Sequence, residues 1–197
     1  MVKSISADKA LEWLMEGNND FIDAKVNHSG DISSSKRLHL HHHGQNPFAL
    51  IVCCSDSRVI PENIFMKGLG DLFVVRLAGN VVGDFALGSI EYGVEHLGIK
   101  LVMVLGHTGC GAVHAALNGA HDSYIGQITN EIKSSIGNIT DPTKATIKNV
   151  LNSCDKIKTS PLLKKDLDNI VIVPALYHTH SGKVEIIKEH KSKFLKI

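Results

Sequence analysis

Aromatic residues are scarce in this 197-residue chain, at 5%, and neither sign of charge dominates: 21 Lys and Arg stand against 20 Asp and Glu, for a net +1. The first scarcity argues against a base-stacking surface. The second leaves no electrostatic footprint for nucleic acid or an anionic membrane. Cysteine is sparse too, with four, which does not suit a secreted disulfide scaffold. Two of them, Cys53 and Cys54, are neighbours and cannot pair with each other without strain. A long apolar run is also missing. The longest stretch without Asp, Glu, Lys or Arg, from Leu101 to His121, holds three histidines and four glycines, which excludes a membrane span. The first turns carry Asp8, Lys9, Glu12 and Glu16, so no apolar signal core is expected there. A cytoplasmic protein without a membrane partner is the resulting expectation.

What is present is an ordinary globular composition, 43% hydrophobic, with an excess of histidine at 12. The length suits one domain over 1–197, divided into a helix-and-loop arm over 1–46 and a sheet core over 47–197. Ala10, Leu11, Leu14, Met15, Phe21 and Ile22 recur at helical spacing, an apolar stripe that packs on the domain itself or on a second copy. The polar stretch from Asn27 to Asn46, with its run Leu38-His39-Leu40-His41-His42-His43, reads as a loop or a short irregular helix.

Beyond it, Phe48–Cys53, Leu72–Leu77 and Leu101–Leu105 are continuous apolar runs without inside–outside alternation. Helical patterns separate them: a short one opened by Pro61, one capped by Asp84, and one from Cys110 to Leu117. Further helices follow at Ile125–Ile136 and after Asp141-Pro142. Ile170–Tyr177 reads as a fourth strand interrupted by Pro174, and Val184–Ile187 as a short fifth. Strand runs of this kind, spaced by helices, predict an α/β fold. Its mostly parallel central sheet, about four parallel strands plus a short C-terminal antiparallel one, is flanked by helices and preceded by an N-terminal helical arm.

In such sheets sites form at the carboxyl ends of strands. After the first strand comes Cys54-Ser55-Asp56-Ser57-Arg58, and after the third His107-Thr108-Gly109-Cys110-Gly111. If these ends are neighbours, Cys54, His107 and Cys110 converge as two thiolates and an imidazole. Three such ligands hold zinc and leave a fourth position open, as catalytic zinc requires. Asp56 can accept a proton or hydrogen bond beside that position, and Arg58 can hold Asp56 in a two-point fork. Cys154, in a stripe with Val150, Leu151 and Ile157, reads as core, and Cys53 as a buried small hydrophobe on the opposite face from Cys54. Gly109-Cys110-Gly111-Ala112-Val113-His114 is a weak match to a dinucleotide fingerprint, because His114 is too large for its third slot. His41, His42 and His43 read as solvated, His178 and His180 as structural, and His96 as a dipole partner at a helix end.

These residues resemble the β-class carbonic anhydrases. The matching segments are Cys54-Ser55-Asp56-Ser57-Arg58, Arg76-Leu77-Ala78-Gly79-Asn80, Ser89-Ile90-Glu91-Tyr92-Gly93 and Gly106-His107-Thr108-Gly109-Cys110-Gly111. The resemblance implies one Zn2+ per chain on Cys54, His107 and Cys110, with Asp56 and Arg58 as the catalytic pair. It implies reversible hydration of carbon dioxide to bicarbonate and a proton by zinc-bound hydroxide. It also implies a homodimer or a multiple of dimers. In a closed resting state that some relatives adopt, Asp56 would be a fourth ligand. One departure stands out: Gly68 falls where some relatives carry a pocket glutamine, and Lys67 is the neighbouring candidate to replace its contact. Two rival readings keep the zinc: a non-catalytic binding or redox-sensing module, which would need a fourth protein ligand, and a hydrolase of a carbon–sulfur analogue such as carbonyl sulfide.

Overall fold

The two central strands carry side chains that leave both faces by strict alternation, and that alternation builds the molecule. The computed structural model describes residues 5–24, 30–119, 123–161, 163 and 168–188, so residues 1–4 and 25–29 of the arm, His121 and residues 189–197 lie outside it. Its strands are β1 (Ala49–Cys53), β2 (Leu72–Arg76), β3 (Leu101–His107), β4 (Val171–Tyr177) and β5 (Val184–Ile186). They form one sheet in the order β2-β1-β3-β4-β5. The first three pairings are parallel and β4 with β5 is antiparallel, as the apolar runs predict.

Every residue of β1 and β3 is buried. Ala49, Ile51, Cys53, Leu101, Met103 and Leu105 face one core, which Ala10 and Leu14 of helix α1 (Ala7–Asp23) complete. Leu50, Val52, Val102 and Val104 face the other. There they meet Ala86, Ile90 and Val94 of α4 (Asp84–Glu95) and Val150, Cys154 and Ile157 of α7 (Pro142–Thr159). The period of two along each strand thus divides one apolar run between two helical layers. The remaining helices are α2 (Ser34–His43), α3 (Pro61–Ile64), α5 (Gly111–Asn118) and α6 (Tyr124–Ile136).

Four local expectations are corrected. The histidine-rich stretch is a regular helix, α2. The Ser33 hydroxyl accepts from the Lys36 N–H at its start, and Gly44 at φ +76° ends it. Leu40 anchors it against Gly70, where an added Cβ would lie 2.9 Å from Leu40 Cδ2. Gly83, not Asp84, caps α4, and Asp84 lies in its first turn. Pro174 does not interrupt β4. Its carbonyl accepts from Ile187 N at 2.9 Å, so its missing N–H faces β5, which ends one residue earlier at Ile186, and the parallel ladder with β3 is left intact. His107 is the last residue of β3, paired with Tyr177, rather than a loop residue beyond it.

The stripe of α1 packs on its own sheet. Gly17 allows the close approach, since a Cβ there would lie 1.9 Å from Phe65 O. Asn18, 1% exposed, donates to Ile64 O and Gly182 O at 3.2 and 2.8 Å, and accepts from Val184 N at 2.7 Å. Asn18→Ala would leave three backbone groups short of a partner in a dry setting. It should lower unfolding free energy by about 3 kcal/mol, read as a shifted denaturant midpoint.

Candidate metal centre

The strand order reverses direction at β1: its successor β2 lies to one side and β3 to the other. A crevice forms at such a switch point, outside the carboxyl ends. Cys54 follows β1, His107 ends β3, and Cys110 caps α5. All three are buried, and their donor atoms lie within 4.8 Å of one another. Among the described residues they form the only such group. The expected convergence is therefore present.

The donor set fits a zinc ion. The two sulfurs are 4.0 Å apart, close to the ~3.8 Å that two Zn–S bonds of ~2.3 Å subtend at a tetrahedral angle. His107 Nδ1 lies 3.1 Å from Thr108 O. The N–H placed there holds the ring as the tautomer with a free Nε2 lone pair. That Nε2 is buried without a hydrogen-bond partner, a costly arrangement unless the nitrogen is a ligand. Cys110, by its thiol hydrogen bond, pushes the Cys54 sulfur toward the thiolate, helped by the backbone N–H groups of Asp56 and Gly79. The same contact with Cys54, together with burial, pushes the Cys110 thiol up. Two sulfurs this close cannot both be anionic without a cation between them.

Asp56 and Arg58 form the expected fork. Arg58 Nε donates to Asp56 Oδ1 at 2.9 Å and Nη2 to Oδ2 at 2.8 Å. The Arg58 backbone N–H adds a third bond to Oδ1 at 2.9 Å. The guanidinium also reaches Gly109 O at 3.1 Å, which ties the first loop to the one that carries Cys110. Arg58 thereby holds the Asp56 carboxyl well below the usual carboxylate range. Asp56 Oδ2 stands 3.8 Å from His107 Nε2, so the carboxylate borders the space the three donors face.

Residues 49–184 match the family profile described as carbonic anhydrase. The chain belongs to the β-class carbonic anhydrase family. It is similar to carbonic anhydrase 2 of Mycobacterium tuberculosis, with 48% identity over 118 residues, 60% of this chain and 55% of that protein. A carbonic anhydrase of Synechococcus elongatus is 44% identical over 80 residues, 38% of this chain and 29% of that one. The alignment thus spans about half the length of the Mycobacterium tuberculosis relative. The solved β-carbonic anhydrase of Coccomyxa in complex with acetazolamide superposes with a TM-score of 0.71 at 25% identity, over 78% of each chain. One of two tetrameric β-carbonic anhydrases of Sordaria macrospora has the same fold. Its TM-score is 0.68 at 23% identity, over 78% of this chain and 91% of that one.

Within this carbonic anhydrase fold, several supporting residues escape a reading of the sequence. Arg76 lies in a quoted segment, yet spacing does not disclose its task. It donates to Cys54 O at 3.2 Å and Asp56 O at 2.9 Å, so it holds the backbone on both sides of Ser55. The tight turn Ala78–Asn80 runs beside Cys54 because Leu77 N donates to Cys53 O and Ser55 N to Leu77 O. The Thr108 and Thr179 hydroxyls, 3.1 Å apart, lock the loops after β3 and β4 together.

Other residues fall outside the centre. Cys53 faces the α1 core, and burial pushes its thiol up to about 12. Cys154 is buried in the α4–α7 core. His39 and His43 stack on exposed α2 with ring centroids 4.3 Å apart, and His178 pairs with Glu185 at 3.1 Å. His96 caps α4 and packs beside Tyr92. At Gly68 a Cβ would lie 2.5 Å from Asp31 N and 2.6 Å from Asp31 O, so the arm's backbone occupies the place of a side chain. Lys67 is not beside this chain's own metal centre: its Nζ lies 5.9 Å from the Phe48 ring centroid, at the amino end of β1.

Proposed function

We propose that this protein is a zinc enzyme that hydrates carbon dioxide reversibly to bicarbonate and a proton, with Cys54, His107 and Cys110 as metal ligands. The observation that carries the reading is the buried Cys-His-Cys donor set with a fork-held carboxylate at its edge. Zinc held there would supply a Lewis acid that polarises water and lowers its pKa. Asp56, kept ionised by Arg58, accepts a hydrogen bond from the attacking water. That bond turns an oxygen lone pair toward the carbon of carbon dioxide. Arg58 also keeps Asp56 from swinging inward as a fourth ligand, because both carboxylate oxygens are engaged in the fork.

The working unit we propose is a homodimer or a multiple of it. The outer edge of β2 has no strand partner among the described residues. Phe85 on α4 is 94% exposed, more than a large apolar side chain at a free surface would favour. The apolar stripe of α1 lends little support, since all of it but Ile22 packs on its own domain. A cytoplasmic location is proposed on the four cysteines, all buried and none in a disulfide. Among the described residues no helix is long and apolar enough to cross a membrane.

Zinc content, sedimentation and stopped-flow carbon dioxide hydration on one purified sample test the proposal. Bound zinc, a dimer or larger species, and fast hydration are expected. Zinc without hydration would refute the activity, and a fully active monomer at assay concentration would refute the assembly.

A further inference from the structure

The turn Ala78–Asn80 holds two consecutive left-handed residues, Gly79 at φ +67° and Asn80 at φ +47°. Such a conformation at a non-glycine residue persists only where its surroundings hold it. Two side chains one turn apart on α7 do so. Asn149 Nδ2 donates to Gly79 O at 2.7 Å, and Ser153 Oγ donates to Asn80 O at 3.0 Å. Each of these side chains belongs to a residue 1% exposed. From the other side, an added Cβ on Gly79 would lie 2.7 Å from Ile132 Cδ1 and 3.1 Å from Ala112 Cβ. The turn so clamped donates the Gly79 N–H to Cys54 Sγ at 3.2 Å.

Packing alone does not account for Asn149. It is a poor helix former in the middle of α7, and its Oδ1 is buried without a partner, as is Asn80 Nδ2. An apolar side chain at that position would avoid the cost of the unpaired oxygen. The cost is borne where the amide fixes, through its carbonyl, the residue whose N–H touches the Cys54 sulfur.

We propose that Asn149, assisted by Ser153, is a positioning residue of the metal centre: by holding the Gly79 carbonyl it fixes the left-handed conformation of Gly79, so that the N–H on the other side of that residue stays on the Cys54 sulfur. The inference rests on the reading of Cys54 as a metal ligand. A hydrogen bond on a ligand sulfur draws charge from its lone pairs and restrains its direction. Outer-shell contacts of this type set both the affinity of a site and the electronic character of its ligands.

The test uses the full chain. Zinc affinity is measured by competition with a chromophoric chelator, and the thiolate-to-metal charge-transfer band is recorded after loading with Co2+. Asn149→Ala should bind zinc roughly 10- to 100-fold more weakly. Its cobalt band should move to longer wavelength, because a sulfur without its N–H donor gives up charge more easily. Ser153→Ala should move both in the same direction by less. Ile157→Ala, buried two turns farther along α7, should lower the unfolding midpoint and leave both metal readouts unchanged. If Asn149→Ala leaves the band and the affinity at wild-type values, or if Ile157→Ala shifts them equally, the proposal is overturned. Should Asn149→Ala fail to fold, Ser153→Ala decides alone, and an unmoved band in that variant overturns it. Cys54→Ser separates the two layers: a cobalt band that survives it removes Cys54 from the ligand set, whatever Asn149 does.

Discussion

Cys54→Ser and Cys110→Ser proteins should purify folded, nearly free of zinc and without measurable hydration of carbon dioxide. Serine keeps the size and the acceptor lone pairs, so the N–H groups of Gly79 and Asp56 that reach the Cys54 sulfur retain a partner. It does not supply a thiolate at neutral pH. The loss should exceed the roughly 10- to 100-fold that removal of an outer-shell hydrogen bond costs, because an inner ligand and its charge are gone. Cys53→Ser is the matched control. Its side chain leaves β1 on the opposite face, into the α1 core, so it should cost stability and keep zinc. Atomic absorption on the three variants, with circular dichroism for folding, gives the result. Full zinc in Cys54→Ser or Cys110→Ser would strike that residue from the site.

Arg58→Ala should retain zinc yet turn over ~100-fold or more slowly, since positioning and electrostatic contributions fail together. Without the guanidinium, the Asp56 carboxylate is free to turn toward His107 Nε2, 3.8 Å away, and to close the site. The pH dependence follows from the direction of the Asp56 shift. Its folded pKa is depressed, so the fork's contribution to stability is complete above the ordinary carboxylate pKa. That contribution disappears as pH falls through the lower folded value. Asp56 therefore stays ionised throughout the near-neutral range, and a loss of wild-type activity between pH 8 and 6 would belong to another group. In Arg58→Ala the carboxyl should titrate nearer ~4, with a new acid limb there. Stopped-flow rates across pH, with zinc content at each end, check both points. Near-native turnover across the range would reduce the fork to a surface ion pair.

Legibility differed from element to element for physical reasons. β1 and β3 are buried on both faces, so their residues are uniformly apolar and readable without neighbours. α2 was harder. Its mean composition is polar, none of its residues is fully buried, and what holds it includes Leu40 against Gly70 and Lys36 beside Asp71. The end of β3 is not legible in the apolar pattern because Gly106 and His107 are not apolar, yet their backbones continue the ladder with Leu176 and Tyr177. Gly106 is required there, since a Cβ would lie 2.4 Å from Val150 Cγ2.

By itself, the sequence determined the parallel α/β class, the three candidate metal ligands at two strand ends, and the local Asp56–Arg58 pair. Each is written in short spans, where strand period and loop reach act over a few residues. The tertiary structure decided what depends on distant segments. It placed β1 beside β3, which brings Cys54 to 4.0 Å from a sulfur 56 residues away. It set Arg76 across the Cys54 loop, filled the space at Gly68 with the backbone of Asp31, and laid α7 against the Gly79 turn. No spacing rule encodes these contacts, because the groups meet only after the sheet has ordered its strands and buried both faces.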